Sequence, residues 1–333
     1  MTDPSTRDAG FRAAEQSAAV CRATGFAAIR IDGEDAATFL QGQLSSDVAA
    51  LAAGMSQWSS YNSPKGRMLS NLRLWRDAEG FGALLSADLA DVFRKRLSLF
   101  VLRAKVRIVD LSSTHAALGV GGPDAAAAIE RGLAVAAIPD GVIVSESGSV
   151  TVIGLGDRRF VLVTETTRAL PLQVKFAQWA TPIDEDVWRW LSIRAGVPLI
   201  TAPTSDQFVP QMLNWDVLGG ISFQKGCYPG QEIVARMRYL GRLKERLYGF
   251  HVAASREPAP GTRVFGAAFG ETPCGTVVNA APSPDGGYAL LAVVQIGAIE
   301  GGGLALDGAG GPTLVHVPLP YTVADAAPAR RLG

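Results

Sequence analysis

Apolar residues recur along this chain in two rhythms, one of period two and one near 3.6. Phe26 to Ile31 alternates as a strand does, Gly33 marks a turn, and Asp35 to Leu44 carries Phe39 and Leu40 at inward-facing helical positions. Residues 11–22 (FRAAEQSAAVCR) read as a short helix. The pattern then returns. Ile31-Asp32-Gly33-Glu34-Asp35-Ala36-Ala37 matches Val120-Gly121-Gly122-Pro123-Asp124-Ala125-Ala126, and Leu44 falls opposite Leu133. Residues 80–96 align with 159–175, Phe81 opposite Phe160. The repeat predicts an α+β protein with an internal duplication: two units of strand, helix, strands, helix, strand, each packing its helices on one face of a sheet as a ferredoxin-like lobe. From Leu243 to Tyr321 short β runs (RLYGFHV, TRVFGAAFG, GTVVNAA, YALLAVVQI, PTLVHVPL) alternate with turns such as Pro282–Gly287 and Gly301–Gly311, which predicts a small antiparallel β-barrel. The expected divisions are 11–115, 116–242 (the two lobes free to interleave) and 243–325.

Two local stretches carry candidate chemistry. In the first unit, Pro64 to Gly66 reads as a hairpin turn and Met68 to Trp75 as an alternating strand. In the second, Tyr228-Pro229-Gly230-Gln231 has the proline and glycine a type II turn needs. A helix should follow, with Ile233, Met237 and Leu240 on one face, Gln231 and Glu232 in its first turn, and Gly241 where it stops. Cys227 therefore precedes a helix N-terminus and lies two residues from Lys225, surroundings that lower a thiol pKa. A reactive or ligating thiol fits that setting. So does an ordinary small buried residue in a turn, because none of His115, His251 and His316 is near enough in sequence to serve as a partner base.

Composition narrows the field. A chain of 333 residues with 48% hydrophobic and 19% charged residues folds, and has room for two or three cores. Lys+Arg and Asp+Glu are both 31, so nothing draws the whole molecule to nucleic acid or an anionic membrane. Met1 to Gly10 lacks the apolar core of a secretory signal, and no apolar run approaches the ~18 residues of a membrane span. Cys21, Cys227 and Cys274 are widely spaced and odd in number, which points to a reducing cytoplasm. With no C-x-x-C and no histidine pair, no stably bound metal is expected. Basic residues cluster at Arg94, Lys95, Arg96, Arg103, Lys105 and Arg107, and again at Arg236, Arg238, Arg242, Lys244 and Arg246, opposed there only by Glu245. The second cluster is read as an anion site; with no aromatic residues seen among it, RNA binding is not inferred from it.

Lys225-Gly226-Cys227-Tyr228-Pro229-Gly230-Gln231-Glu232 resembles the signature K-G-C-[FY]-x-G-Q-E of the YgfZ family. Leu40-Gln41-Gly42-Gln43-Leu44, the stretch from Tyr61 to Arg73, Gln207 to Gln211 with Asn214, and Val317 to Tyr321 are similar to the same family. The resemblance implies folate-binding proteins that support iron–sulfur cluster maturation and are also described as tRNA-modifying. It implies the fold of the glycine cleavage T protein, an aminomethyltransferase, with three lobes around a folate-sized opening. Cys227 would be the working thiol, Lys225 would keep it ionised, Gly226, Tyr228 and Gly230 would hold its turn, and Gln231 and Glu232 would support it.

Two departures from the aminomethyltransferases stand out. Their paired acidic residues on the strand after the glycine turn are Ser70 and Asn71 here, and the glutamate that grips the pterin is Arg194. Trp188 is the candidate for stacking on the pterin, weighed against core packing together with Trp190, and Arg194, Asn71 and Arg236 complete the expected cofactor set. The expected function is a tetrahydrofolate-binding accessory factor in iron–sulfur protein assembly or repair with influence on tRNA modification, rather than a self-sufficient enzyme. The alternatives are an aminomethyltransferase-type one-carbon enzyme and a thiol-redox or tRNA-handling protein without folate. Expected partners are folate (tetrahydrofolate or a derivative) and iron–sulfur client or assembly proteins. No membrane contact is expected, the chain should be a monomer, and a tRNA contact has no support from charge.

Overall fold

Ala19, Val20 and Cys21 are at most 1% exposed, and they form a strand rather than the end of a helix. In the computed structural model, which describes residues 4–138, 141–144, 149–239, 243–308 and 310–323, helix α1 (Pro4–Gln16) stops short of β1 (Ala19–Arg22). Three successive apolar residues buried on both faces suit a strand covered on both sides better than an amphipathic helix. Leu240, Gly241, Arg242 and the tail from Ala324 lie outside the described residues.

The first unit runs β2 (Phe26–Asp32), α2 (Ala36–Gln41), β3 (Met55–Asn62), β4 (Met68–Asp77), β5 (Gly80–Ser86), α3 (Ala90–Ser98) and β6 (Arg107–Asp110). The second runs β7 (His115–Gly121), α4 (Ala125–Leu133), β8 (Val142–Val144), β9 (Val150–Gly154), β10 (Arg159–Glu165), α5 (Thr166–Phe176) and β11 (Thr181–Pro182). Their sheets are ordered β3-β4-β5-β2-β6 and β8-β9-β10-β7-β1-β11. The two orders correspond strand for strand except that β1, from the N-terminal stretch, is inserted between β7 and β11, antiparallel to one and parallel to the other. Strand β4 does not alternate as expected: Ser70 to Trp75 are all buried, because both of its faces are covered.

Helix α6 (Glu185–Arg194) then crosses to the third unit, and α7 (Gln231–Tyr239) precedes it in sequence. That unit is a near-closed antiparallel barrel of β12 (Glu245–Val252), β13 (Arg263–Gly266), β14 (Gly275–Pro282), β15 (Tyr288–Gln295), β16 (Leu304–Leu306) and β17 (Leu314–Val317), with α8 (Ile296–Gly301) between β15 and β16. The strand order is β16-β13-β14-β15-β12-β17, and a bridge between Ala305 and Thr313 brings the two edges together. Strand β16 lies inside the stretch expected to be turn. Its three residues are at most 5% exposed, but the glycines around them hide so short an apolar run.

Arg189 on α6 fastens the second lobe to the barrel. Its Nη1 donates to Glu257 Oε1 at 2.7 Å and to the Ala280 carbonyl at 2.9 Å, and its Nη2 donates to Asp186 Oδ1 at 2.8 Å. Among the described residues no helix is long and apolar enough to cross a membrane.

Candidate functional site

Where β4, β10, α6 and the barrel meet, the fold leaves a cavity of about 200 Å³. Its walls are mostly apolar, with Leu72, Leu84, Leu155 and Ile193 among them. Two of the expected cofactor residues line it, Asn71 and Trp188. Both polar atoms of the Asn71 side chain are bonded within the protein: its Nδ2 donates to the Pro198 carbonyl at 2.7 Å, and its Oδ1 accepts from the Ile200 N–H at 2.8 Å. It holds the loop after α6 against β4. Trp188 is 1% exposed, and its indole lies so close to Gly119 that a Cβ there would come within 2.6 Å of the ring. It is therefore core floor and cavity wall at once, and its Nε1–H has no hydrogen-bond partner.

Three further residues of the cavity escaped the sequence reading. Trp58 on β3 is half-buried, with the Arg73 guanidinium 5.0 Å from its ring centroid. Arg73 on β4 is 2% exposed and donates from Nε to Ser56 Oγ at 3.0 Å. Arg159, at the head of β10, is also 2% exposed; its Nη1 donates to Ser192 Oγ at 3.0 Å, while Nε and Nη2 have no hydrogen-bond partner. Burial pushes the Arg159 pKa down to about 10, with the like charge of Arg73 adding to it and Asp157 opposing. The available signal was a charge inside an otherwise apolar strand, as in LRLW and RFVLV, since a buried charge is costly unless something uses it.

The remaining expected cofactor residues are elsewhere. Arg194 points to the surface, ion-paired with Glu15 Oε1 at 2.7 Å and stacked on Trp190 at 5.3 Å, and it does not border the cavity. Arg236 is an exposed residue of α7.

The signature segment forms a second site. The Tyr228–Gln231 turn is closed by the Gln231 N–H on the Tyr228 carbonyl at 3.2 Å, with Gly230 at φ +76°, as a type II turn requires. Gln231 Oε1 accepts from the Tyr228 N–H at 3.2 Å; Glu232 is exposed. Helix α7 turns Val234 inward at 0% exposure, with Ile233 and Met237 half-buried beside it, and Gln211 Nε2 anchors it through the Val234 carbonyl at 2.6 Å. Cys227 is exposed, whereas Cys21 and Cys274 are buried.

Lys225 has a different task from the one expected. Its Nζ donates to the carbonyls of Gln41 at 2.6 Å, Leu44 at 2.6 Å and Ser46 at 2.8 Å. An ammonium has three hydrogens, so none is left for the Cys227 thiol. Lys225 caps the last carbonyl of α2, where a cation is also favoured by the helix dipole, and ties down the loop that follows through Leu44 and Ser46. Burial pushes its pKa down to about 8, against the attraction of Asp47. Gly226 meets nothing: a Cβ there has no heavy atom within 4 Å.

The basic clusters separate on inspection. Arg94 and Lys95 pair with Asp91, Lys105 with Glu34 and Arg107 with Asp32, which makes the first cluster a solvated face. In the second, Arg246 is 8% exposed and forms a two-pronged pair with Asp216, so it is structural. Arg238 lies 4.1 Å over Phe223 and 5.9 Å from Tyr239. Aromatic rings do therefore interleave with this cluster. Phe223 escaped notice because it stands fifteen residues before Arg238 and only the fold brings them together.

A duplicated α+β pair with an appended barrel is a fold found in a solved aminomethyltransferase. The glycine cleavage system aminomethyltransferase T from Bartonella henselae superposes with a TM-score of 0.78 over 99% of this chain and 92% of that chain, at 17% identity, a likeness of fold alone. The GCVT N-terminal domain family matches residues 5–138. The tRNA-modifying protein YgfZ of Cronobacter sakazakii is 35% identical over 304 residues, covering 89% of this chain and 91% of the relative. Its counterpart in Yersinia pestis (strain Pestoides F) is 35% identical over 308 residues, covering 90% and 91%. The chain belongs to the YgfZ family.

Proposed function

We propose that this protein is a tetrahydrofolate-binding accessory factor in the assembly or repair of iron–sulfur proteins, acting through the thiol of Cys227 and influencing tRNA modification by way of such client proteins. The observation that carries the reading is the exposure of Cys227, alone among the three cysteines, on a turn whose shape is fixed from below by Gly230 and Lys225. A thiolate is the soft ligand that iron–sulfur clusters use, and an exposed one on a rigid base can meet a partner. The apolar cavity supports the folate half. Its tryptophans and unpartnered donors suit a flat heterocycle bearing carbonyl oxygens, and a pterin is one. Trp58, Trp188 and Arg159 would hold it, and the bound folate would supply one-carbon chemistry. The relatives' name, tRNA-modifying protein, supports the last part.

An aminomethyltransferase is the weaker reading, because Ser70 and Asn71 offer no carboxylate and Asn71 is tied to Pro198 and Ile200. The test is calorimetric titration with tetrahydrofolate of the wild type and Cys227→Ala, alongside the activity of iron–sulfur enzymes in cells carrying only the variant. Equal micromolar binding with loss of client activity supports both halves. No binding in either protein removes folate, and unchanged client activity removes the thiol.

A further inference from the structure

Arg159 is the least explained residue of the cavity. A guanidinium has two faces for recognition, and the edge formed by Nε–H and the neighbouring Nη2–H is a parallel pair of donors. In Arg159 the other nitrogen, Nη1, is taken by Ser192, and this edge has no partner in a side chain that is 98% buried. Leaving buried charged donors unsatisfied costs more than leaving neutral ones, so such a group persists where something else completes it. The backbone before Arg159 is itself held at a cost: Gly156, Asp157 and Arg158 lie at φ +75°, +46° and +57°, the left-handed region that non-glycine residues avoid. That turn sets Arg159 at the head of β10, in the cavity wall.

A planar donor pair calls for a planar acceptor pair. A carboxylate is one, and the two lone pairs of a ring carbonyl oxygen, lying in the plane of the ring, are another. The surroundings favour the ring. The walls are apolar, and Trp58 and the unpartnered indole N–H of Trp188 border the same space. Glu185 and Glu257 line it too, but both are already partnered, Glu257 by Arg189 and Glu185 by the Gly25 N–H. Building on the folate reading, we propose that Arg159 is the specificity-determining residue of the cavity and that the two donors of its Nε–Nη2 edge converge on the C4 carbonyl oxygen of a pterin. Recognition would thus come from a cation at the carbonyl edge, in place of the carboxylate whose position is taken here by Arg194.

The test replaces the carbonyl. Tetrahydroaminopterin differs from tetrahydrofolate in carrying a 4-amino donor where the 4-oxo acceptor stood. The wild type is expected to bind tetrahydrofolate about 10- to 100-fold more tightly than the 4-amino compound, the discrimination of one two-pronged arginine contact. Arg159→Lys keeps the charge and loses the fork, and Arg159→Gln loses both. Each should bring the ratio to within about 3-fold of one, because the discriminating contact is gone. A wild-type ratio near one overturns the assignment while leaving folate binding intact. A ratio that survives in both variants, with both affinities falling together, reduces Arg159 to a structural role and also overturns it. Tight binding of p-aminobenzoylglutamate, lost in the variants, places a carboxylate on the fork instead of the ring. If the wild type binds no pterin at all, the folate reading falls and takes this assignment with it.

Discussion

Gly230 and Gly66 meet backbone to backbone. A Cβ on Gly230 would lie 2.6 Å from Gly66 Cα and 2.4 Å from the Ser63 carbonyl oxygen, so the turn carrying the signature rests directly on the tip of the β3–β4 hairpin. Gly66 Cβ, in turn, would strike Ile233 of α7 at 2.7 Å. Asn71, in the cavity wall, is five residues beyond Gly66 on the same chain, about 17 Å at strand rise. One hairpin thus supports both sites. Gly230→Ala combines a positive φ with a clash against backbone, which cannot move aside as a side chain would. It should cost about 2 kcal/mol or more. Gly226→Ala, next to the thiol but with open space around it, should change stability by less than about 0.5 kcal/mol. Urea denaturation of the two variants checks the contrast. Loss of client activity in a fully stable Gly226→Ala would then mean that a partner approaches the backbone there.

Lys225→Met removes a cation and leaves the carbonyls of Gln41, at the end of α2, and of Leu44 and Ser46, in the loop after it, without their donor. The aliphatic stem is kept, so packing against Tyr228 is largely preserved. The loss should be about 2–4 kcal/mol, the scale of several polar groups stripped of a charged partner. Amide hydrogen exchange should quicken at residues 41–46 as well as at the signature. Had Lys225 served only to ionise the thiol, stability would not change and Cys227 reactivity alone would fall.

Much of the frame was legible because it rests on short-range rules. The Gly-Asp turn before α2 and α4, the order β5–α3 against β10–α5, and the Pro229-Gly230 turn each follow from local spacing and from residues that only certain backbone angles admit. What the sequence hid was long-range. Nothing near Ala19 announces that β1 joins β7, nearly a hundred residues away, in the second sheet. Lys225 stands two residues from Cys227, yet its partners are 179 to 184 residues away, and proximity along the chain pointed to the wrong neighbour. Arg194 was placed in the folate site by its position in a pattern, but on α6 it sits on the outer side, while Trp188 and Ser192 face the cavity. Arg73 and Arg159 could have been singled out as charges within apolar strands. Only the fold shows that they converge.

Cysteine reactivity gives a direct count. Cys21 and Cys274 are each 1% exposed, and burial raises both thiol pKa values, most strongly at Cys21. The thiolate is the reacting form, so both should be inert in the native protein. Ellman's reagent should titrate one thiol promptly in the folded wild type, none in Cys227→Ser, and all three after denaturation. More than one prompt thiol would mean that the core around β1 or β14 opens readily.

Two buried phenols should contribute to the fall of stability at high pH, beside Tyr61 and the thiols of Cys21 and Cys274, whose pKa values burial also raises. Burial pushes Tyr228 up to about 12, and it does the same to Tyr321, whose hydroxyl donates to the Gly196 carbonyl at 2.7 Å. In the unfolded chain both titrate near ~10. Between these values the unfolded state has lost protons that the folded state keeps, so it binds fewer, and stability falls as pH rises. The contribution is complete below pH ~10 and lost as pH climbs through about 12. Urea midpoints measured from pH 8 to 11 should therefore drop further above pH ~10, beyond the fall that the two buried thiols begin above pH ~8.5. Tyr228→Phe keeps the ring beside Lys225 and has nothing to ionise, so its midpoint should fall less over the same interval, and the double variant with Tyr321→Phe less again. Parallel curves for wild type and variants would mean that neither phenol is protected by the fold, and that the packing of Tyr228 beneath the signature turn is looser than its 8% exposure implies.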